Sequence, residues 1–353
     1  MDLGPYSDLP NKLNFNSEKK ENFSREGLFN SFGKLPEFPE KLSIKREPNF
    51  IYDDLEVTPL TWWSGYGPET KAFLVRPQNT KAPLPGIICL HSHDDVKRYG
   101  IEKVFDYGVE LPDEISWVKR DHYENQTPVN ELAKRGFAVL VFDCFLWGSR
   151  RFPAEVIPAR LKEVLGGEDY ENLSVMHESM VLSKYLSLFG STLAGLLNFD
   201  DRIALAVAKS LSEISDQIAV VGLSGGGSRA LYLHATNPEI SAVVSVGAMA
   251  TYESMLEKHV APHSWMFFPH DLADKADWPQ LAMISKTPLF VQFCAQDQLY
   301  TLTGMQNADE MLKAHFATNK IEYKSNFYKV KHSFTTQMQE EAFEWLTDKL
   351  LRN

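Results

Sequence analysis

Apolar residues along the chain fall first into alternating runs and then into short continuous ones. LEVTPLTWW, from Leu55, and KAFLVRP, from Lys71, alternate apolar and polar positions. That period of two is the mark of half-buried strands. The turn-rich GYGPET between them predicts a hairpin. GIICLH (86–91), AVLVFD (138–143), QIAVVGL (217–223), AVVSVG (242–247), PLFVQF (288–293) and NFYKV (326–330) then read as buried strands of a mostly parallel sheet.

Helical patterns lie between these runs. One helix is predicted from Pro128 to Lys134, stopping at Gly136. HESMVLSKYLSLFGSTLAGLL is apolar almost throughout, but polar residues break it too often for it to span a bilayer. FDDRIALAVAKSLSEI opens on Asp200 and Asp201, which are expected at a helix cap and first turn. The segments after Thr303 and after Ser333 read as amphipathic helices. Residues 94–125 are charged and irregular, with a weak helical pattern. Residues 1–50 are polar, with a partial helix expected around 22–33. Strands alternating with helices imply βαβ units. The expectation is an α/β protein with a mostly parallel eight-stranded sheet covered by helices on both faces. It carries an N-terminal extension (1–50), helical insertions, and a domain over 51–353.

One turn in this pattern carries chemistry. Gly222-Leu223-Ser224-Gly225-Gly226 is a G-x-S-x-G motif where a strand runs into a helix. Such an elbow exposes a nucleophilic serine on a strained turn and needs small residues on either side. Gly225 is expected to offer its backbone N–H to a developing oxyanion at the helix N-terminus. A bare glycine turn or a phosphate cradle is the other reading of the motif. No lysine follows at the place a phosphate loop needs one. A serine hydroxyl requires a base. Asp297 and His332 follow strand-like runs in the order Ser, Asp, His and at the same sheet edge. Asp271 and Asp274 are alternatives for the acid, though neither follows a strand.

Composition narrows the setting. The chain has 353 residues, 44% of them hydrophobic, enough for one large core. A formal net charge of -11 argues against nucleic acid or an anionic membrane as partner. The three cysteines, Cys89, Cys144 and Cys294, read as buried free thiols and exclude a disulfide framework. The first residues have no apolar leader segment, so a cytoplasmic location is expected. Residues 1–50 are expected to wrap the core or to contribute to a homodimer contact. His91-Ser92-His93-Asp94-Asp95 has the H-x-H-x-D spacing of a metal-ligand set. A metal-dependent hydrolase using His91, His93 and Asp95 is therefore a competing reading, although zinc needs three or four converging ligands. A non-catalytic binding module is another.

From residue 54 to 351 the chain resembles the dienelactone-hydrolase-related branch of the α/β-hydrolase superfamily. LHSHDD (90–95) is similar to its oxyanion loop, FDCFLWGSRR (142–151) to its Asp-x-x-Gly-x-Gly-x-Arg loop, GLSGGG to its elbow and KHSF to its His-Gly-Phe. Ser92 stands where the family has glycine, and Ser224 stands where dienelactone hydrolase has cysteine. The resemblance implies a carboxylic ester hydrolase with the triad Ser224, Asp297 and His332. It also implies oxyanion donors from Gly225 and from Ser92 or His93, and no cofactor or metal. The implied substrate is a small-molecule short-acyl ester, for example a carbohydrate acetate. Trp147, Tyr252, His263, Trp265 and Phe267 are candidates to line its pocket, with core packing as the other reading; His91 is a further candidate, and Arg150 suits either a substrate carboxylate or a salt-bridged loop.

Overall fold

The computed structural model describes residues 3–13, 15, 23–167, 169–258 and 260–352. Its ten strands are β1 (Ile44–Arg46), β2 (Phe50–Tyr52), β3 (Leu55–Trp62), β4 (Thr70–Pro77), β5 (Leu84–Leu90), β6 (Ala138–Phe142), β7 (Ile214–Leu223), β8 (Ala242–Val246), β9 (Leu289–Cys294) and β10 (Tyr323–Tyr328). They form one sheet in the order β1-β3-β4-β6-β5-β7-β8-β9-β10, with β2 also pairing with β3. Strands β1 to β4 pair antiparallel, and β4 meets β6 antiparallel. From β6 to β10 every pairing is parallel.

The eight-stranded expectation is corrected to ten. The two added strands, β1 and β2, are three residues each and lie on the outer side of β3. Three residues give too little alternation to be read as a strand. The residues expected as an N-terminal extension also reach the core. Helix Arg25–Phe32 is capped by Ser24, whose hydroxyl accepts from Gly27 N at 3.1 Å. Its Leu28 and Phe32 are fully buried, and Phe32 meets the Tyr232 ring at 5.2 Å.

Successive residues of each parallel strand serve opposite faces. Ile88 and Leu90 pack with helices Leu193–Ser210 and Gly225–Thr236 on one face. Ile87 and Cys89 pack with helices Asp113–Tyr123, Pro128–Lys134 and Thr336–Leu350 on the other. Segment 94–125, expected to be irregular and to end in a weak helical pattern, supplies a helix at that end whose Ile115, Val118 and Tyr123 are buried.

Asp200 and Asp201 were expected to start a helix and instead lie in the middle of one. The helix begins at Leu193 behind Thr192, whose hydroxyl accepts from Gly195 N. Buried partners hold the two carboxylates there. Arg229 donates Nη2 to Asp201 Oδ1 at 2.6 Å and Nε to both of its oxygens at 3.1 Å. Arg150 and the Tyr66 hydroxyl reach Asp200. Arg229 also donates to His91 O at 3.4 Å, tying the helix after β7 to the end of β5.

The chain leaves β5 toward β6 on one side and returns to β7 on the other. The carboxyl ends of β5 and β7 therefore open a crevice at the point where strand order reverses, the usual ligand position in such sheets.

Removing one partner of a buried ion pair leaves an uncompensated charge. The Asp201→Asn variant is expected to lose about 3–5 kcal/mol of unfolding free energy in urea titration. A loss under about 1 kcal/mol would show that the pair does not support the fold.

Candidate active site

Between β7 and the helix Gly225–Thr236, Ser224 adopts φ 58°, ψ −120°. A left-handed φ at a residue with a side chain costs on the order of 1–3 kcal/mol and persists only when neighbours impose it. Here Ser224 N donates to Val246 O at 2.8 Å, and Ser228 N donates to Ser224 O at 2.9 Å. The flanking glycines make the turn sterically feasible. A Cβ on Gly222 would lie 2.4 Å from the Gly226 carbonyl carbon, and one on Gly226 would lie 2.1 Å from Leu90 O. The elbow is therefore seated directly against β5.

His332 follows β10 and Asp297 follows β9. His332 Nδ1 donates to Asp297 Oδ2 at 2.5 Å, and Leu299 N donates to Asp297 Oδ1 at 2.9 Å. The Asp297 side chain is fully buried, and that of His332 is 16% exposed. The imidazole packs against Gly247, where a Cβ would stand 3.4 Å from its ring. Gly247 is next to Val246, whose carbonyl holds Ser224 N, so the end of β8 brings serine and imidazole to one place. With Nδ1–H engaged, Nε2 is the free lone pair. That atom is buried without a hydrogen-bond partner among the described residues. Ser224, Asp297 and His332 all line one cavity of about 830 Å³. Asp271, which pairs with Lys275, and Asp274 are not in its lining.

The loop after β5 supplies the facing wall. A Cβ on Gly225 would stand 3.1 Å from His93 N, so the His93 backbone abuts the helix N-terminus. Buried groups hold this loop from behind. Lys103 Nζ donates to Ser92 O at 3.0 Å and to His93 O at 2.7 Å. Trp147 Nε1 donates to His93 O at 3.2 Å. Ser92 Oγ donates to Asp94 Oδ2 and accepts from Tyr123 OH. Burial would raise the Asp94 carboxyl, but Lys103 and His122 hold it well below the usual carboxylate range.

A second buried carboxylate, Glu178, also lines the cavity. It opens the π-helical turn Glu178–Leu182, a local irregularity frequent at functional sites. It accepts from Lys97 Nζ and, at 2.6 Å, from Ser264 Oγ, and lies 3.4 Å from His93 Nε2. Burial opposes its charge, yet Lys97 and His93 keep it ionised well below the ordinary range. Lys97 in turn stands 3.3 Å over the Trp147 ring. The loop from Asp143 is anchored likewise. Its carboxylate accepts from Ile101 N at 3.0 Å and Ser149 N at 2.8 Å, while burial and Glu102 push its pKa up to about 6.

Of these candidates, His263 and Phe267 line the cavity, whereas His91, Trp147, Arg150, Tyr252 and Trp265 lie outside its lining. Arg150 is buried and spends its guanidinium on Tyr66 O, Pro68 O and Asp200. His91 is buried, with Nδ1 donating to Ser92 O and Nε2 beside Cys144 Sγ. Trp147 is buried beneath His93. Tyr252 is buried and donates to Phe267 O at 2.7 Å. Trp265 is 48% exposed, while its neighbours Ser264, Met266 and Phe267 face the cavity. Residues that sequence reasoning did not single out, His122 and Trp117 among them, line it instead. His91, His93 and Asp95 do not converge, and no group of three or more metal-ligating side chains is arranged to hold an ion among the described residues. No described helix is long and apolar enough to cross a membrane.

No protein-family model matches the chain. Over 300 residues it is 24% identical to Putative hydrolase YtaP of Bacillus subtilis (strain 168), spanning 83% of this chain and 87% of that one. Among solved structures, a glucuronoyl esterase from Solibacter usitatus aligns with TM-score 0.63 at 12% identity, over 92% of each chain. An acetyl xylan esterase from Paenibacillus sp. R4 aligns with TM-score 0.58 at 15% identity, over 99% of this chain and all of that one. At these identities the likeness is one of fold. Strand order and turn agree with these neighbours, and the chain has the α/β-hydrolase fold.

Proposed function

We propose that the protein is a carboxylic ester hydrolase that works through Ser224, His332 and Asp297. The observation that carries this reading is the buried Nε2 of His332, without a hydrogen-bond partner among the described residues, in the cavity that Ser224 also lines. Asp297 fixes the imidazole tautomer, so Nε2 takes the serine proton as the hydroxyl attacks the ester carbonyl. The N–H groups of Gly225 and His93 receive the tetrahedral oxyanion. His93 is preferred over Ser92 because its backbone nitrogen abuts Gly225. Each such donor is worth about 3–4 kcal/mol in the transition state. His332 then protonates the leaving alcohol, and water releases the acyl group by the reverse path.

A short-acyl ester of a carbohydrate is the substrate class we favour. The cavity, at about 830 Å³, far exceeds an acetyl group and falls in the range of sites that hold a drug-sized ligand. Its wall is rich in hydrogen-bonding groups, including Glu178, Ser179, Ser264 and Gln298, and Trp117 lines it as well. Similarity to acetyl xylan and glucuronoyl esterases supports the same class.

Ser224→Ala is expected to lower kcat on p-nitrophenyl acetate by roughly 10⁵-fold or more and to abolish fluorophosphonate labelling, with the fold intact by circular dichroism. Retained, chelator-sensitive turnover would point to a metal enzyme, and no turnover by the unsubstituted protein on any ester to a binding module. Asp297→Asn keeps the shape but reverses the tautomer preference. A fall in kcat of roughly 10³–10⁴-fold with little change in KM is expected. A fall under about tenfold would remove Asp297 from the mechanism.

A further inference from the structure

Two walls close on the N-terminus of the helix after Ser224. A Cβ on Gly225 would stand 3.1 Å from His93 Cβ and 3.2 Å from Met266 Sδ. His93 belongs to the loop after β5. Met266 belongs to the short turn Trp265–Phe267, capped by Ser264, whose hydroxyl accepts from Met266 N at 3.3 Å. Tyr232 OH fixes this turn from behind by donating to Met266 O at 2.8 Å.

The buried Glu178 carboxylate reaches both walls. Its Oε1 accepts from Ser264 Oγ at 2.6 Å. Its Oε2 accepts from Lys97 Nζ and lies 3.4 Å from His93 Nε2. Lys97 Nζ stands 3.3 Å from that same nitrogen, so imidazole, ammonium and carboxylate meet at one point. Glu178 comes from neither wall. Helix Tyr170–His177 runs directly into it, and Ser183 Oγ donates to Glu178 O at 2.8 Å across the π-helical turn. Two turns earlier on that helix, Glu171 accepts from the backbone N–H groups of Lys97 and Arg98. Two carboxylates on one helix face therefore grip the chain that follows the His93 loop.

We propose that Glu178 is a positioning residue for the oxyanion donors. It ties the His93 loop to the Ser264–Phe267 turn and so holds the His93 N–H opposite Gly225. The inference rests on the ester-hydrolase reading, in which those two N–H groups receive the oxyanion. Such donors act only when they stand in place before charge develops, and a displacement of about 1 Å can cost roughly 100-fold in rate. A carboxylate accepts at both oxygens, whereas an amide accepts at one and donates at the other. In Glu178→Gln the side chain keeps its size. Whichever way its amide turns, one wall loses its acceptor.

The test compares Glu178→Gln with the unsubstituted chain, with working sites counted by fluorophosphonate titration. The expected result is a full count of sites. Per site, kcat/KM on p-nitrophenyl acetate falls roughly 10- to 100-fold. The Ki of trifluoroacetophenone, whose hemiketal oxygen occupies the same donors, rises by the same factor. A merely structural role would lower the count and leave the Ki of the remaining sites unchanged. That result, or changes under about twofold in both quantities, overturns the proposal. Should the Gln variant not fold, Ser264→Ala decides, because it cuts one arm only. A loss of roughly threefold to tenfold in both quantities is expected there, and no movement in either overturns the proposal. An unsubstituted chain that neither hydrolyses an ester nor binds the ketone defeats the hydrolase reading, and this inference with it. An active parent with an indifferent Gln variant defeats this inference alone.

Discussion

The backbone contact between the start of the helix after β7 and the end of β5 is the constraint on which the site depends. Gly226 can approach Leu90 O only because it has no side chain. That approach sets Ser224 in its left-handed conformation and places its carbonyl and amide in bonds to Ser228 and Val246. It also brings Gly225 against the backbone of His93. Ser224, the helix N-terminus and the His93 loop are thus fixed by one close packing of main chain, in which a β-carbon on Gly222 or Gly226 would meet a carbonyl.

Around this contact the protein uses buried charge to tie down loops. Asp201 with Arg229, Asp200 with Arg150, Asp94 with Lys103 and Glu178 with Lys97 are all ion pairs near the carboxyl ends of the strands. Asp143 does the same with backbone N–H groups. Loops at this edge lack ladder partners, so carboxylates and lysines satisfy their amides and carbonyls instead. Such pairs add little net stability but make each loop strongly prefer one arrangement. This accounts for Arg150, His91 and Trp147 lying behind the cavity wall rather than in it. The Asp-x-x-Gly-x-Gly-x-Arg-like loop builds the site from outside.

The hairpin, the six following strands and the Pro128–Lys134 helix were legible because each carries a period or an end signal of its own. The elbow was legible because a G-x-S-x-G turn needs only local residues. Asp200 and Asp201 misled because an acidic pair resembles a helix start until its buried arginines are known. β1 and β2 were invisible because three-residue strands exist only through the neighbour they pair with. His122 carried no signal, since its contacts Asp94 and His332 lie 28 and 210 positions away in the chain.

The sequence by itself determined the alternation of strand and helix, the turn that strains Ser224, and a short set of acids and bases at strand ends. These follow from rules acting over a few residues: side-chain period, glycine freedom and chain order. Only the tertiary structure decided that His332 Nδ1 meets Asp297, that His93 rather than a neighbour abuts Gly225, and which aromatic and charged groups face the cavity. Those outcomes depend on which distant segments pack together, and a desolvated charge takes its partner from whatever that packing brings within reach.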